Sequence, residues 1–259
     1  MDSWDGGASY EHYMGRWSRR VAQEFLDWLD IPPASRWVDV GCGTGALTGT
    51  IAGVAAPQRL AGVDPSAGFI EVARGRLKQR ADLWVGDAQS LPFASGEFDA
   101  AVSGIALNFV PDPGLGVREM RRVTRSGGVV AAYVWDYAGG MQVIREFWDA
   151  AVALDPTIDY LDEATRFPLC RPERLNALFT ESGLDDVHTT ALEIPTVFEG
   201  FDEYWEPFLG GQGPAPSYVA SMSQPDRQHL ESRLRNQLPT SNDGVIILTA
   251  RAWAVRGVT

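Results

Sequence analysis

Cysteine is almost absent from this chain: Cys42 and Cys170 are the only two in 259 residues. That excludes a disulfide framework and suits a reducing, cytoplasmic setting. Histidine is nearly as scarce, and His12, His188 and His229 lack the spacing of metal ligands, so no metal site is expected. Positive charge is in deficit, with 22 Lys and Arg against 34 Asp and Glu, a net charge of −12. A nucleic-acid partner normally calls for a basic face. The densest basic run, Arg74 to Arg80, reads as the solvated side of a helix. No apolar run approaches the ~18 residues of a membrane span. The first residues carry Asp2, Asp5 and Glu11 without an apolar stretch, so no signal peptide is expected. Repeats and low-complexity tracts are missing too. What remains is a globular composition with 45% hydrophobic residues.

Strand and helix signals alternate through the first half. Val21, Ala22, Phe25, Leu26 and Leu29 share one helical face, with Ser18 as the expected cap. "RWVDVG" reads as a buried strand, "ALTGTIAGV" as a helix and "RLAGVD" as a second strand. "SAGFIEVARGRLKQR" is a helix capped by Ser66. Strands follow at "ADLWVGD", "FDAAVSGIA" and "GGVVAAYVWD", with a helix at "GLGVREMRRVT" that the "PDP" of Pro111 to Pro113 starts. This rhythm argues for a parallel sheet with helices on both faces.

The second half is less regular. Residues 137–185 look helical and aromatic, "VHTTALEIPTVF" has strand composition, 199–240 break the pattern, and "GVIILTARAWAV" closes the chain as a strand. The expected layout is one domain over 1–259. It has an N-terminal lid and helix (1–35), a cofactor-binding core (36–136), a helical insertion (137–185) and a terminal strand pair (186–259). The pair itself carries a lid insertion at about 199–240.

The richest signal is "WVDVGCGTGALTG", where four glycines in thirteen residues follow a buried strand. Glycine is costly to order, so such a cluster marks a strained turn or a close approach of backbone to ligand. In a parallel sheet that turn lies beyond the carboxyl ends of the strands, where ligands bind, and it feeds a helix N-terminus that favours a negative group. Two ligands fit: a dinucleotide through its pyrophosphate, or S-adenosylmethionine (SAM) through its carboxylate. Gly41, Gly43 and Ala46 satisfy G-x-G-x-x-G/A, with Asp64 near the distance expected of an acid on a ribose. Asp39, two residues before the first glycine, sits awkwardly for a pyrophosphate and suits a ligand carrying an ammonium and a sulfonium. "GDA" (Gly86 to Ala88) offers an acid and an amide to an adenine edge, and the last strands suggest an antiparallel pair at one sheet edge.

The runs "VDVGCGTG", "GVDPS", "VGDAQSLPF", "FDAAVSGIALNFVPDP" and "EMRRVTRSGGVVAAYVWDY" resemble the class I SAM-dependent methyltransferases. The likeness is to the small bacterial group that includes the ubiquinone and menaquinone biosynthesis enzymes, methyltransferase type 11. It implies a Rossmann-like, doubly wound, seven-stranded α/β sheet, mostly parallel with an antiparallel terminal strand, and helical lid insertions. It also implies residue roles. Gly41, Cys42 and Gly43 pass beneath the methionine part. Asp64 accepts the ribose hydroxyls. Pro65 and Ser66 flank the adenine, while Asp87 and the Ala88 N–H read its edge. The Ser103 carbonyl holds the ammonium, and Leu107 and Phe109 line the route to the methyl group. His12 and Tyr13 are the candidate bases by analogy, with a site lacking any dedicated base as the alternative. Trp17 stands near the methionine part in a lid formed by Trp4, Tyr10, Tyr13, Met14 and Trp17, whose other reading is added core.

Blander readings accompany several of these. Cys42 is a small buried residue rather than a nucleophile, and Cys170 is structural. His188 belongs to a strand face and His229 to an exposed helix. Trp135, Tyr137, Trp148, Trp205 and Phe208 are core of the excursion or the cover of an apolar or aromatic acceptor. The expected activity is methyl transfer from SAM to a small molecule. The alternatives are a nicotinamide-dependent oxidoreductase and a SAM-binding module without catalysis.

Overall fold

A computed structural model of the chain describes residues 15–210 and 213–259. His12 and Tyr13, and the lid aromatics before Trp17, lie outside the described residues.

The sheet has seven strands: β1 (Arg36–Val40), β2 (Arg59–Asp64), β3 (Asp82–Val85), β4 (Phe98–Gly104), β5 (Thr124–Trp135), β6 (Asp185–Phe198) and β7 (Ile246–Val258), in the order β3-β2-β1-β4-β5-β7-β6. The pairs β1–β2, β1–β4, β2–β3 and β4–β5 are parallel. β7 runs against β5. The Gly127 N–H donates to the Thr259 carbonyl and the Thr259 N–H to the Gly128 carbonyl, while the Asp136 N–H donates to the Arg251 carbonyl at the other end. The doubly wound sheet with an antiparallel terminal strand is therefore as the motifs imply. Strand order reverses at β1, which places the glycine turn after β1 at the switch point.

The chain forms two compact units. One comprises Ser18–Val134, Leu169–Leu192 and Ala252–Thr259 and holds the glycine turn. Its helices are α1 (Arg16–Leu29, from Ser18 on), α2 (Ala46–Val54), α3 (Ala67–Leu77), α4 (Pro113–Val123) and α7 (Pro172–Glu181). Trp37, Val38 and Val40 of β1 and Ala100, Ala101 and Val102 of β4 are buried, as two-sided burial of a parallel sheet demands. Val21, Ala22, Phe25, Leu26 and Leu29 of α1 are buried as one face, with Phe25 4.6 Å from Tyr133 between ring centroids. Local signals set the helix starts: Ser66 accepts from the Phe69 N–H, and Asp112, ahead of Pro113, accepts from the Leu115 N–H. The basic run Arg74 to Arg80 lies on and beyond the last turn of α3, with Arg74, Arg76, Lys78 and Arg80 exposed.

The other unit comprises Trp135–Pro168 and Glu193–Arg251, with the described residues 15–17. It contains α5 (Gln142–Leu154), α6 (Glu163–Arg166), α8 (Phe201–Trp205), α9 (Pro214–Ser221) and α10 (Gln224–Gln237). Its core is aromatic. Phe147 stacks on Phe208 at 4.6 Å, Trp148 lies 5.9 Å from Tyr218, and the Trp148 indole N–H donates to the buried Glu163. The Tyr204 hydroxyl donates to the Val143 carbonyl at 3.0 Å. Trp135, Tyr137, Trp148, Trp205 and Phe208 are all buried here, at 6% exposure or less, which is the core reading of these residues.

One boundary differs from expectation. Ser18 does not cap α1, because the helix begins at Arg16 and Ser18 is buried within it. The Arg16 guanidinium pairs with Glu203 at 2.5 Å and lies 4.2 Å from the centre of the Trp17 ring, and Trp17 packs edge-on to Phe198 at 5.8 Å. These partners are distant in sequence and draw two further residues into the helix. Trp17 is consequently buried, 2% exposed, among residues of the aromatic unit.

Candidate active site

β1 delivers Asp39 and then breaks into the glycine turn. Gly41, Gly43 and Gly45 all have positive φ, at 74°, 52° and 87°. Two of them show why no side chain fits. A Cβ on Gly41 would stand 2.4 Å from the Cβ of Ala106, in the turn after β4. A Cβ on Gly43 would meet none of the described residues within 4 Å beyond its chain neighbours, so the turn is open on that side. The turn is stitched to β2 by the Gly41 and Cys42 N–H groups, both donating to the Val63 carbonyl at 2.8 and 3.0 Å. Gly45 then heads α2 with no side-chain cap, leaving the helix N-terminus to other acceptors.

Asp64, at the end of β2, holds the turn from the other side. One carboxylate oxygen accepts from the Gly43 N–H at 2.9 Å, and the other from the Ser66 N–H at 2.8 Å. Burial raises its pKa, against these two N–H bonds that favour the charged form. Pro65 and Ser66 continue the chain into α3. Asp39 is fully buried. Its Oδ2 accepts from the Thr48 hydroxyl at 2.6 Å, while its Oδ1 is buried without a partner among the described residues. Burial, with Asp64 nearby, pushes its pKa up to about 7 against the Thr48 hydrogen bonds. Cys42 is buried and its thiol pKa is pushed well up, so it is no thiolate nucleophile.

After β3, Asp87 is exposed and accepts from the Gln89 N–H at 2.8 Å and from the Gln89 side-chain amide. Ala88 is half-buried. Gln89 in turn accepts from the Asp112 N–H at 3.0 Å. The following loop is clamped by α4. Arg122 donates to the carbonyls of Phe93 and Leu91 at 2.8 and 3.1 Å, and Glu119 accepts from the Leu91 N–H at 2.8 Å while pairing with Arg122. This explains "EMRR": one face of the helix holds the loop that presents Asp87 and Ala88. After β4, Ser103 is buried, Ile105 takes a positive φ of 57°, and a 3₁₀ turn (Leu107–Phe109) buries Leu107 but leaves Phe109 44% exposed.

The first unit thus brings Asp39, Gly41, Cys42, Gly43, Asp64, Pro65, Ser66, Asp87, Ala88, Ser103 and Leu107 to the carboxyl edge of β1 to β4. Trp17 belongs to the other unit. Thr48, Ala106 and Gln89 join the site without having been singled out by any motif. Only Thr48 carries a signal, as a polar residue at helical spacing on an otherwise apolar "ALTGTIAGV".

The donor set fits SAM. The unpartnered Oδ1 of Asp39 suits a cationic group, the open side of Gly43 leaves room beside the turn, and the uncapped α2 suits a carboxylate.

Residues 38–132 match the family model described as a methyltransferase domain. The chain is 32% identical over 117 residues to a demethylmenaquinone methyltransferase of Staphylococcus saprophyticus, covering 44% of this chain and 48% of that one. It is 35% identical over 124 residues to the chloroplastic 2-methyl-6-phytyl-1,4-hydroquinone methyltransferase 2 of Oryza sativa, covering 46% and 36%. The chain thus spans less than half the length of these curated relatives. In fold it resembles Haemonchus contortus phosphoethanolamine N-methyltransferase 2, solved with phosphomonomethylethanolamine and S-adenosylhomocysteine. The TM-score is 0.60 at 17% identity, over 99% of this chain and 57% of that one. No described helix is long and apolar enough to cross a membrane.

Proposed function

We propose that this protein transfers a methyl group from SAM to a small, apolar or aromatic acceptor by in-line displacement. The observation that carries the reading is Asp39: a fully buried carboxylate, two residues ahead of the glycine turn, with one oxygen unbonded among the described residues. A pyrophosphate beside that turn would meet it as a like charge, whereas an ammonium would complete it. The methyltransferase-domain match and the names of the relatives, whose acceptors are ring compounds with apolar tails, support the same class.

Bound there, SAM supplies a methyl group on a sulfonium, already an activated leaving group. The chain's own work is placement. Asp39 and the Ser103 carbonyl hold the ammonium, the α2 N-terminus the carboxylate, and Asp64 the ribose hydroxyls. Asp87 and the Ala88 N–H read the adenine edge, which Pro65 and Ser66 flank. Gly41, Cys42 and Gly43 pass under the methionine part, and Leu107 and Phe109 make an apolar wall that excludes water. His12 and Tyr13 stand as candidate bases where the acceptor must lose a proton. The acceptor is a small molecule rather than nucleic acid, as the acidic charge suggests. Calorimetric titration with SAM and with NADH, followed by mass spectrometry for S-adenosylhomocysteine with a panel of ring acceptors, tests this. SAM binding with turnover is expected. NADH binding without SAM binding overturns the cofactor, and SAM binding without turnover on any acceptor leaves a binding module.

A further inference from the structure

The 3₁₀ turn after β4 holds a side-chain amide with nothing to bond. Both Nδ2 and Oδ1 of Asn108 are buried and have no hydrogen-bond partner among the described residues. Two donors and a carbonyl acceptor are unused by the described chain, an arrangement that costs stability unless a group from outside the chain completes it.

Neighbouring contacts locate the turn. Leu107 and Val110 face α4, approaching the Cβ position of Gly116 to 3.9 and 3.5 Å. Ala106, just before the turn, stands against Gly41 of the glycine turn. Asn108 follows the buried Leu107 and precedes the exposed Phe109. The polar groups of SAM each have a partner in the proposed reading, namely Asp39, Ser103, the α2 N-terminus, Asp64, Asp87 and Ala88. The segment Ser103 to Pro111 contains no charged residue. An uncharged donor–acceptor pair in an apolar wall matches a neutral oxygen group and is poorly matched to a phosphate or an ammonium, which would call for an opposite charge.

We propose that Asn108 is a positioning residue for the methyl acceptor, its amide hydrogen-bonding a neutral hydroxyl or ring carbonyl. This rests on the methyltransferase reading above and names the acceptor's polar handle. The probes are 1-naphthol and 1-methylnaphthalene, which differ by that hydroxyl, titrated calorimetrically into protein saturated with S-adenosylhomocysteine. The wild-type protein is expected to prefer 1-naphthol by about tenfold or more, and Asn108→Leu to shrink the preference to about twofold or less. The variant should bind S-adenosylhomocysteine like the wild type and melt at the same or a higher temperature, since an unpaired amide has been removed. Asn108→Ser, a smaller polar residue, should keep part of the preference and stands in if the Leu variant does not fold. A preference unchanged in the variant, a wild type that binds both probes alike, a variant melting several degrees lower, or cofactor affinity lost while the preference survives would each overturn the assignment. A wild type that binds the cofactor but neither probe instead refutes the aromatic-acceptor reading, and this assignment with it.

Discussion

The Thr48 hydroxyl donates to Asp39 Oδ2 at 2.6 Å, joining the first turn of α2 to the last residues of β1. It satisfies half of a carboxylate whose other oxygen has no partner among the described residues, in a site dry enough to push the pKa up to about 7. A carboxyl so placed is held ready to ionise when a cation arrives.

The pH dependence follows with a definite sign. Because the folded-state pKa of Asp39 lies above the ordinary carboxylate value, the ligand-free fold takes up a proton that the unfolded chain does not. Asp39 therefore adds stability at low pH that is lost as pH rises towards about 7. SAM binding, which needs the charged form, runs the other way: affinity falls as pH drops below about 7, and binding near pH 6 releases a proton. Calorimetry in buffers of different ionisation heat reads that proton directly. Asp39→Asn should abolish both the proton release and the pH slope. A slope that persists in the variant would assign it to another group.

Asp64→Ala should weaken SAM binding by about 10- to 150-fold, as loss of hydrogen bonds to a charged acceptor implies. The same change frees the N–H groups of Gly43 and Ser66. Melting and circular dichroism must accompany the titration. An intact fold with wild-type affinity would remove Asp64 from the ribose.

Gly41→Ala and Gly43→Ala should part company. Both place alanine at positive φ, at about 1–2 kcal/mol each. At Gly41 the new methyl also collides with Ala106, adding about 1–3 kcal/mol of overpacking. At Gly43 it meets none of the described residues beyond its chain neighbours. The Gly41 variant should therefore lose several degrees of melting temperature, whereas the Gly43 variant should lose less stability but most of its SAM affinity. Equal affinity losses at equal stability would contradict an open, ligand-facing side at Gly43.

Arg122→Ala should cost about 1–2 kcal/mol, through two loop carbonyls left without their donor. Arg122→Lys should restore little, since an ammonium cannot fork between Leu91, Phe93 and Glu119. Faster hydrogen exchange at Leu91 and weaker SAM binding should accompany the loss. Unchanged exchange would mean that the loop holds itself.

Whatever depended on near neighbours was legible in the sequence. The cap at Ser66, the helix start at the "PDP" of Pro111 to Pro113, the span of α2 over Ala46–Val54 and of β2 over Arg59–Asp64, and the glycine turn all follow from residues a few positions apart. What eluded it are relationships across long separations. Nothing near Gly41 announces that Ala106 stands against it, and nothing near Ser18 announces that Glu203 and Phe198 pull the helix start back to Arg16. Asn108 reads as an ordinary turn residue until its burial is known. The aromatic excursion misleads for a related reason: large rings fill a core and line a ligand site with equal ease, and only packing partners such as Phe147 on Phe208 tell the two apart.

The strand order has a consequence for how the chain is made. β7 lies between β5 and β6, yet it is the last strand in sequence. During vectorial synthesis β1 to β5 can assemble early as a contiguous block. β5 then keeps a bare edge, and β6 has no neighbour at all, while α8, α9 and α10 are still being added. The nascent protein thus passes through a stage with two unpaired strand edges waiting for the same insert. That interval, not the finished fold, is where this molecule is most exposed to mispairing with its own copies.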